Sequence, residues 1–352
     1  MNANPLRKAL LPFVPLYRMG LGLRAVGLRS KLERVRRLRS PVVSVGNLSM
    51  GGSGKTPLTI ALAQALAERG FQVDVLSRGY GRQSKLPARV DPAGTAEEFG
   101  DEPLLIARET GLPVYVAAQR YEAGLLAEES QATQGASAAP QVPAATQVPA
   151  ATQVPQGLLH LLDDGFQHRQ LYRDADIVLL DRNDWHESLL PAGNLREPLS
   201  ALGRATIVAI PADDPELRAE LESSRWKGII WRLRRIIEVP SIAVPVAAFC
   251  GIARPDQFFA GLKAAGLQVA FQKAFPDHYR YTLRDIEEFT GAARAAGARA
   301  LFTTDKDQVR LRSLAPGLPL HTARLRIEIG DKDRAIDSLL SRLRAPQPQP
   351  PL

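Results

Sequence analysis

Short apolar runs alternate with stretches of helical spacing along the first two thirds of the chain. Val42, Val43 and Val45 begin this pattern as a strand-like run, and residues 58–69 follow with the spacing of a helix. Further strand-like runs recur at residues 73–76, 113–116, 158–162, 177–180 and 206–210. Strands that alternate with helices form a mostly parallel sheet with helices on both faces. We therefore predict an α/β fold of this kind over residues 41–228.

A second, smaller α/β pattern occupies the chain after residue 240. The runs "VAAFCGI", "QVAFQKAF" and "RALFTT" are strand-like, and helical stretches lie between them. Two alternating stretches, residues 229–236 and 322–329, flank this pattern, and we predict that they pair as a two-stranded hinge. The smaller α/β domain would then cover residues 237–321, followed by a C-terminal tail over 330–352. A cleft would open between the two domains.

The stretch "VVSVGNLSMGGSGKTP", residues 42–57, has the order of a strand, a glycine-rich loop and a helix. In such a loop the backbone amides and the helix N-terminus bind phosphates, Lys55 reaches the β- and γ-phosphates, and the Thr56 hydroxyl ligates Mg²⁺. Ser49 stands where the usual pattern has its first glycine, and neighbouring glycines supply the flexibility. The alternative, a glycine-rich turn that merely contains a lysine, is disfavoured by the order of the elements. The predicted nucleotide-binding residues are Ser49, Met50, Gly51, Gly52, Ser53, Gly54, Lys55 and Thr56.

Composition is that of a soluble protein of a reducing compartment. A chain of 352 residues with 45% hydrophobic content can bury two cores, and the single cysteine, Cys250, excludes an intramolecular disulfide. The net charge of +8 is local, because residues 1–40 contain ten Lys or Arg against Glu33, a net +9. Since nucleic-acid-binding proteins spread basic residues over a folded face or a recognised module, we predict no nucleic-acid partner.

Residues 1–40 interleave these basic residues with apolar ones, which is typical of a helix that lies on a membrane surface. The longest uncharged run, residues 9–17, has nine residues and contains two prolines, whereas a membrane span needs about 20 apolar residues. We predict a membrane-associating amphipathic helix that does not cross the bilayer. The alternative is an amphipathic helix packed on the protein's own core.

Residues 131–157 interrupt the α/β pattern with "QATQGASAAPQVPAATQVPAATQVPQG", in which Q-V-P-A-A-T occurs twice in tandem. The stretch lacks charged residues and is rich in Pro, Ala and Gln, so it cannot build a core. We predict a disordered surface insertion without a chemical role.

Carboxylates and a histidine stand where strands end or where loops are bounded by glycine and proline. Asp163 and Asp164 follow an apolar strand, the arrangement by which phosphate-loop proteins place a carboxylate near Mg²⁺. Asp101 and Glu102 lie in "GDEP", and His278 lies in "FPDHYRY" of the smaller domain. An Asp and a His that converge from two domains can deprotonate a hydroxyl nucleophile. Taken singly, each residue also fits a helix cap, a turn or a surface position.

Nine motifs follow one another along the chain: "VSVGNLSMGGSGKTP", "LSRGYGR", "GDEP", "LLDDGFQHRQL", "DIVLLD", "LLPAGNLREP", "AFCGIARPDQFF", "FPDHYRYT" and "TTDKDQVRL". In order and approximate spacing they resemble those of the tetraacyldisaccharide 4'-kinases of lipid A biosynthesis. The resemblance runs from about residue 5 to 330 and excludes the insertion. It implies a peripheral enzyme on the cytoplasmic side of the inner membrane. With Mg²⁺, such an enzyme transfers the γ-phosphate of ATP to the 4'-hydroxyl of tetraacyldisaccharide 1-phosphate and forms lipid IVA.

The resemblance also implies roles for individual residues. Asp101 would be the catalytic base with His278 as its partner, and Lys55 would act on the transferred phosphate. The residues implied on the magnesium side are Thr56, Glu102 and either Asp163 or Asp164. The residues implied at the phosphates or the substrate are Arg78, Arg82 and Arg120. One departure is Asn194 in "LLPAGNLREP", where this family is expected to have proline.

Three other protein classes share parts of this pattern. A membrane-tethered ATPase of the deviant phosphate-loop kind needs a lysine early in the loop, and residues 47–50 contain none. A GTPase is disfavoured because the guanine-reading N-K-x-D arrangement is absent from the sequence. A non-catalytic membrane-binding module leaves the carboxylate and histidine motifs without a purpose.

Overall fold

The computed structural model describes residue 7 and residues 9–30, 35–137, 156–311, 314 and 316–344. In chain order its strands are β1 (Val42–Asn47), β2 (Phe71–Ser77), β3 (Ala88–Arg89), β4 (Val114–Val116), β5 (Gln156–Asp163), β6 (Ala175–Leu179), β7 (Ile207–Pro211), β8 (Ile229–Glu238), β9 (Val246–Cys250), β10 (Val269–Ala274), β11 (Ala300–Thr304) and β12 (Leu320–Ile329). They form one sheet in the order β10-β9-β11-β12-β8-β7-β6-β1-β5-β2-β4-β3. Neighbours pair in parallel, except that β12 with β8 and β3 with β4 are antiparallel.

Helices cover both faces of this sheet, as the alternation of apolar runs predicts. In chain order they are α1 (Val14–Arg29), α2 (Lys55–Glu68), α3 (Ala96–Phe99), α4 (Asp101–Thr110), α5 (Arg120–Ser137), α6 (Arg182–Trp185), α7 (Pro215–Ser223), α8 (Pro255–Ala264), α9 (Leu283–Ala295), α10 (Asp305–Leu311) and α11 (Lys332–Arg344), with 3₁₀ turns at Leu11–Phe13 and Leu199–Arg204. Successive side chains of a strand point to opposite faces. On β6, Ile177 accordingly joins a core with Leu62 of α2, whereas Val178 joins one with Leu217 of α7.

The strand register brings the functional loops to one edge of the sheet. β1 and β5 run parallel, and Val45 lies opposite Asp163. The glycine-rich loop after β1 and the two carboxylates at the end of β5 therefore emerge side by side. Ligands of open α/β sheets bind at this carboxyl edge.

The two stretches predicted to form a hinge pair with each other. Residues 324–329 of β12 run antiparallel to β8, with Arg324 opposite Glu238 and Ile329 opposite Leu233. The first part of β12, from Leu320 to Ala323, instead pairs in parallel with β11 of the smaller domain. One strand thus belongs to both domains, and movement about it stays a prediction.

The prediction of a C-terminal tail over 330–352 was wrong for residues 332–344, which form α11. Ala335, Ile336 and Leu339 of this helix are buried in the same core as Leu62 and Leu66 of α2. The helix therefore completes the larger domain after the chain has passed through the smaller one. Residues 345–352 lie outside the described residues.

The prediction of a disordered insertion over 131–157 was wrong at both ends. Residues 131–137 continue α5, and residues 156–157 begin β5. Helical spacing from Arg120 carries α5 past the boundary set by composition alone. The remainder, residues 138–155, lies outside the described residues.

The N-terminal helix α1 has one packed edge and one exposed apolar edge. Val14, Tyr17 and Leu21 pack against the core of the larger domain. Leu16 and Leu23, by contrast, are 61% and 66% exposed. The alternative of packing on the protein's own core thus holds for one edge, and contact of the other edge with a membrane stays a prediction. None of the described helices is long and apolar enough to span a membrane.

Candidate active site

The glycine-rich loop connects β1 to α2 with a backbone suited to binding anions. Gly51 and Gly54 have φ angles of 102° and 93°, a region that other residues rarely adopt. Gly54 caps the N-terminus of α2, so the unpaired amides of the first turn face the loop. Ser53 and Thr56 are buried, whereas Met50 is 51% exposed and Gly52 has open space beside its Cα. The predicted nucleotide-binding residues therefore form the loop from Ser49 to Gly54 and, with Lys55 and Thr56, the first turn of α2.

A neighbouring segment fixes where this loop begins. Ser49 forms an isolated bridge with Leu195, and the Met50 N–H donates to the carbonyl of Asn194 at 2.8 Å. The Arg196 N–H donates to the carbonyl of Leu48 at 2.7 Å. Because Asn194 contributes its backbone carbonyl, which a proline would also provide, its departure from the family pattern leaves this contact intact.

Lys55 is held at the mouth of the loop by two oxygens. Its Nζ donates to Asn47 Oδ1 at 3.2 Å and lies 3.6 Å from Asp164 Oδ1. The Asn47 amide in turn donates to Ser49 Oγ at 3.2 Å. The ammonium group is therefore already positioned where phosphates would meet the loop.

Asp163 and Asp164, at the end of β5, have different environments. Asp163 is buried and accepts the Thr59 hydroxyl at 3.0 Å. Burial raises the pKa of Asp163 to about 7, and the carboxylates of Glu102 and Asp164 act in the same direction. Burial also acts to raise the pKa of Asp164, but the charges of Lys55 and Arg196 outweigh it and the pKa lies below its ordinary value. Negative charge at Asp163 is thus poorly compensated, while Asp164 is paired.

Glu102 is paired with a lysine from the smaller domain. Lys306 Nζ donates to Glu102 Oε1 at 2.7 Å, and the two side chains are only about one quarter exposed, at 26% and 24%. The Lys306 charge is the main cause that lowers the pKa of Glu102 to about 2. This ion pair joins the N-terminus of α4 to α10 across the cleft.

Asp101 and His278, predicted from separate motifs, are in contact. His278 Nδ1 lies 3.2 Å from Asp101 Oδ2, and Arg310 Nε donates to the same oxygen at 2.6 Å. Burial acts to raise the pKa of Asp101, but the His278 hydrogen bond and the Arg310 charge outweigh it and hold the pKa below its ordinary value. Asp101 is therefore a charged, oriented carboxylate at the cleft.

The carboxylates fit a magnesium ion that is also bound by phosphate. Among the residues that the structure describes, no group of three or more His, Cys, Asp or Glu side chains is arranged to hold a metal by itself. Magnesium takes oxygen ligands and is commonly bound through one or two carboxylates together with substrate phosphates. The poorly compensated charge at Asp163 and the Thr56 hydroxyl beside the loop match such a partial ligand set.

The three arginines predicted at phosphates or substrate lie in different settings. Arg120 is buried and its Nη2 donates to the Asp164 carbonyl at 3.0 Å. Arg78 is exposed, and Arg82 donates to the Leu86 carbonyl of its own loop at 2.8 Å. Burial, with the charges of Arg120 and Arg78 acting in the same direction, lowers the pKa of His168 to about 4. The structure thus places Arg120 beside Asp164, leaves Arg78 exposed, and gives Arg82 a contact within its own loop.

A cavity of about 650 Å³ opens beside the glycine-rich loop and between the domains. Its lining includes Ser53, Asp181, Asp213, Arg235, Arg254 and Gln257. Arg235 Nη2 donates to the Ser53 carbonyl at 2.5 Å, and Arg254 Nη1 donates to Asp181 Oδ2 at 2.6 Å. The cavity has the size of a small-molecule site and continues from the place where phosphates would bind.

Sequence reasoning missed the cations that face these acids. Lys306 and Arg310 are four residues apart on α10 and contact the adjacent acids Glu102 and Asp101. Both lie in "TTDKDQVRL", and their i, i+4 spacing was the available signal. Arg196, which bridges to Asp164 Oδ2 at 3.2 Å, was likewise within a quoted motif without an assigned role.

Comparisons with known proteins extend over nearly the whole chain. The family model described as tetraacyldisaccharide-1-P 4'-kinase matches residues 6–344. The tetraacyldisaccharide 4'-kinase of Koribacter versatilis is 40% identical over 340 residues, which cover 94% of this chain and 97% of that protein. The one of Syntrophobacter fumaroxidans is 38% identical over 336 residues, covering 88% and 81%. A crystal structure of LpxK from Aquifex aeolicus, described as an "apo" form in complex with ATP, is similar with a TM-score of 0.72 at 30% identity, covering 96% of this chain and 99% of that one.

Proposed function

The chain belongs to the tetraacyldisaccharide-1-P 4'-kinase family, and from this membership we infer that it phosphorylates the 4'-hydroxyl of tetraacyldisaccharide 1-phosphate with ATP. The product is lipid IVA, and the reaction is a step of lipid A biosynthesis. The observation that carries this function in the chain itself is the cleft, where Lys55 of the glycine-rich loop and the Asp101–His278 pair lie at one edge of the sheet.

ATP is proposed to bind with its phosphates in the loop from Ser49 to Thr56. Backbone amides of this loop and the N-terminus of α2 stabilise the phosphate charge, and Lys55 supplies a cation to the γ-phosphate. The adenosine part is assigned to the cavity beside Ser53, which is lined by Asp181 and Gln257. This placement is supported by the cavity's continuity with the loop.

Magnesium is proposed to be held by the Thr56 hydroxyl and by the carboxylates of Glu102 and of Asp163 or Asp164. When bound, it supplies positive charge that stabilises the transferring phosphoryl group. Asp163 is buried, and its described hydrogen bonds include no cationic partner. It is therefore better placed than Asp164 to bind the Mg²⁺ ion. Asp164 already faces Lys55 and Arg196.

Asp101 is proposed to be the base that activates the acceptor. It receives the proton of the 4'-hydroxyl as the bond from that oxygen to the γ-phosphorus forms and the bond to the β-phosphate oxygen breaks, which releases ADP. His278 orients the carboxylate from the smaller domain. Positioning of the acceptor matters most in such transfers, and a carboxylate can accept the proton late.

The lipid substrate is proposed to reach the cleft from the cytoplasmic face of the inner membrane. The exposed apolar edge of α1, with Leu16, Met19 and Leu23, supports contact with acyl chains or the bilayer surface. Basic residues of the same segment would attract anionic headgroups. Arg78 and Arg120 are proposed to meet the substrate's phosphate.

Mass spectrometry of the lipid tests the function. Purified protein with ATP, Mg²⁺ and tetraacyldisaccharide 1-phosphate is expected to add one phosphate to the lipid. Lys55→Ala should abolish the product, and Lys263→Ala, which changes an exposed lysine on α8, should not. An unchanged lipid mass with the unaltered protein would rule out the assignment.

A further inference from the structure

We propose that Arg310 is a positioning residue for phosphoryl transfer, which holds Asp101 by one carboxylate oxygen and leaves the other to accept the proton of the acceptor hydroxyl. The proposal rests on the proposed function, because it takes Asp101 as the base. It goes beyond that function by assigning the residue that sets the orientation of the base.

The contacts of Asp101 all fall on one oxygen. Arg310 Nε donates to Oδ2 at 2.6 Å, and His278 Nδ1 lies 3.2 Å from the same atom. Among the residues that the structure describes, none makes a hydrogen bond to Asp101 Oδ1. Rotation of the carboxylate is therefore restricted, and Oδ1 is the oxygen that remains for the substrate.

The guanidinium group is itself fixed by the core of the smaller domain. Arg310 Nη1 donates to the Gly251 carbonyl at 2.7 Å and to Asp307 Oδ1 at 2.9 Å. Asp307 is fully buried and also accepts the Tyr281 hydroxyl at 3.0 Å and the Thr304 hydroxyl at 2.7 Å. This network orients the Arg310 guanidinium group independently of its contact with Asp101.

Arginine is suited to this position by its shape. Its planar fork presents several donors in fixed directions, and here Nε and Nη1 serve opposite sides of the cleft while Nη2 lies 3.2 Å from His278 Nδ1. A lysine would keep the charge but could supply donors from only one point. Replacing Arg310 by lysine therefore keeps the positive charge but loses the fixed directions of the donors.

A purely structural role is the competing account. Arg310 and Lys306 both join α10 to α4, and together they could serve only to hold the domains together. If these ion pairs only held the domains together, their loss would lower thermal stability and weaken ATP binding in the cleft. Loss of a positioning contact would instead lower kcat at nearly constant KM, because the interaction matters most in the transition state.

The test compares Arg310→Lys and Arg310→Ala with Arg284→Lys, a control that alters an exposed arginine of α9. We expect Arg310→Lys to lower kcat by about 100-fold, the cost of roughly 1 Å of misplacement at a reacting group. KM for ATP should stay within about twofold of the original, and the control should be unaffected. Added guanidinium should restore part of the activity of Arg310→Ala, since it can enter the space left by the side chain.

The outcomes separate this proposal from the proposed function. If the unaltered protein forms no lipid product, both fail. If it is active and Asp101→Ala is not, while Arg310→Lys retains normal kcat, only the role of Arg310 is overturned. Activity losses that follow the melting temperature, without rescue by guanidinium, would also overturn it.

Discussion

Asp101 and His278 are expected to act as one unit across the cleft, and a double-mutant cycle measures this directly. General base catalysis commonly contributes about 10²–10⁴-fold to a rate. If each single substitution lowered kcat about 100-fold, independent residues would give a combined loss of about 10⁴-fold. Because the two side chains meet at a distance of 3.2 Å, we instead expect the double variant to be little worse than the worse single variant. The difference between the two results is about 2.7 kcal/mol.

The backbone at His278 decides which substitutions are informative. Its φ of 58° lies in the left-handed region, where a residue with a Cβ, histidine and alanine alike, carries about 1–2 kcal/mol of strain that glycine does not. His278→Gly avoids that strain and removes the ring. His278→Asn tolerates the same backbone and offers an amide N–H to Asp101, so it should lose less activity than His278→Gly.

The assay is single-turnover transfer to the lipid in mixed micelles at saturating ATP and Mg²⁺, with thermal melting of every variant. Asp101→Ala, His278→Gly and the double variant should melt within a few degrees of the original. Multiplicative losses in the double variant would refute the unit, even if each residue proved important. Normal turnover by the folded fraction would reduce both residues to loop contacts.

Three further predictions concern the tandem repeats, helix α11 and helix α1. Deleting the tandem repeats over residues 141–152 should leave kcat unchanged and alter the free energy of unfolding in urea by at most about 1 kcal/mol. The deletion shortens the segment between α5 and β5 from 18 to about 6 residues, and closure entropy changes slowly with length. A loss of lipid affinity would show that the repeats contact substrate. Leu339 is fully buried on α11, and Leu339→Ala should lower the free energy of unfolding by about 2–5 kcal/mol in the same assay. Arg334→Ala, on the exposed side of this helix, should leave it almost unchanged. Equal effects would mean that α11 does not stabilise the core. Replacing both Leu16 and Leu23 by Glu should lower the affinity for anionic vesicles, measured by co-sedimentation, by about tenfold or more while ATP binding is retained. Leu283→Glu, a change at another exposed leucine, is the control and should leave vesicle binding unaltered. Unaltered binding by the α1 variant would mean that α1 does not contact the membrane.

Local patterns predicted the elements of this fold well. The helix expected at residues 58–69 is found at Lys55–Glu68, and the run "RALFTT" contains β11 at Ala300–Thr304. These elements depend on neighbouring residues, through apolar spacing and through glycines that end or begin a helix. The pairing of β8 with β12 could also be predicted, since both alternate over the same length.

Contacts between distant residues limited the prediction of the site. Asp101 and His278 were expected to meet across the cleft because each lies in a loop bounded by glycine or proline, one in each domain, and the family resemblance gave the pair its roles. Arg310 lies 209 residues from Asp101, and their contact depends on how the smaller domain sits against the larger one. No local spacing reports that placement. Helix α11 was missed although Ile336, Leu339 and Leu343 have helical spacing.

The burial of α11 with β1 and α2 also constrains how the protein is made. Val43 near the start of the chain and Leu339 near its end share one core, and β8 leaves that core before the smaller domain begins. At about 5–20 residues per second, synthesis of the roughly 100 residues between Leu233 and Leu339 takes about 5–20 seconds. The smaller domain, although later in the sequence, is therefore complete before the larger one. Until α11 has been synthesised, the larger domain exposes the apolar surface that this helix covers in the folded protein. Chaperones that bind exposed apolar surface can recognise the nascent chain during that interval.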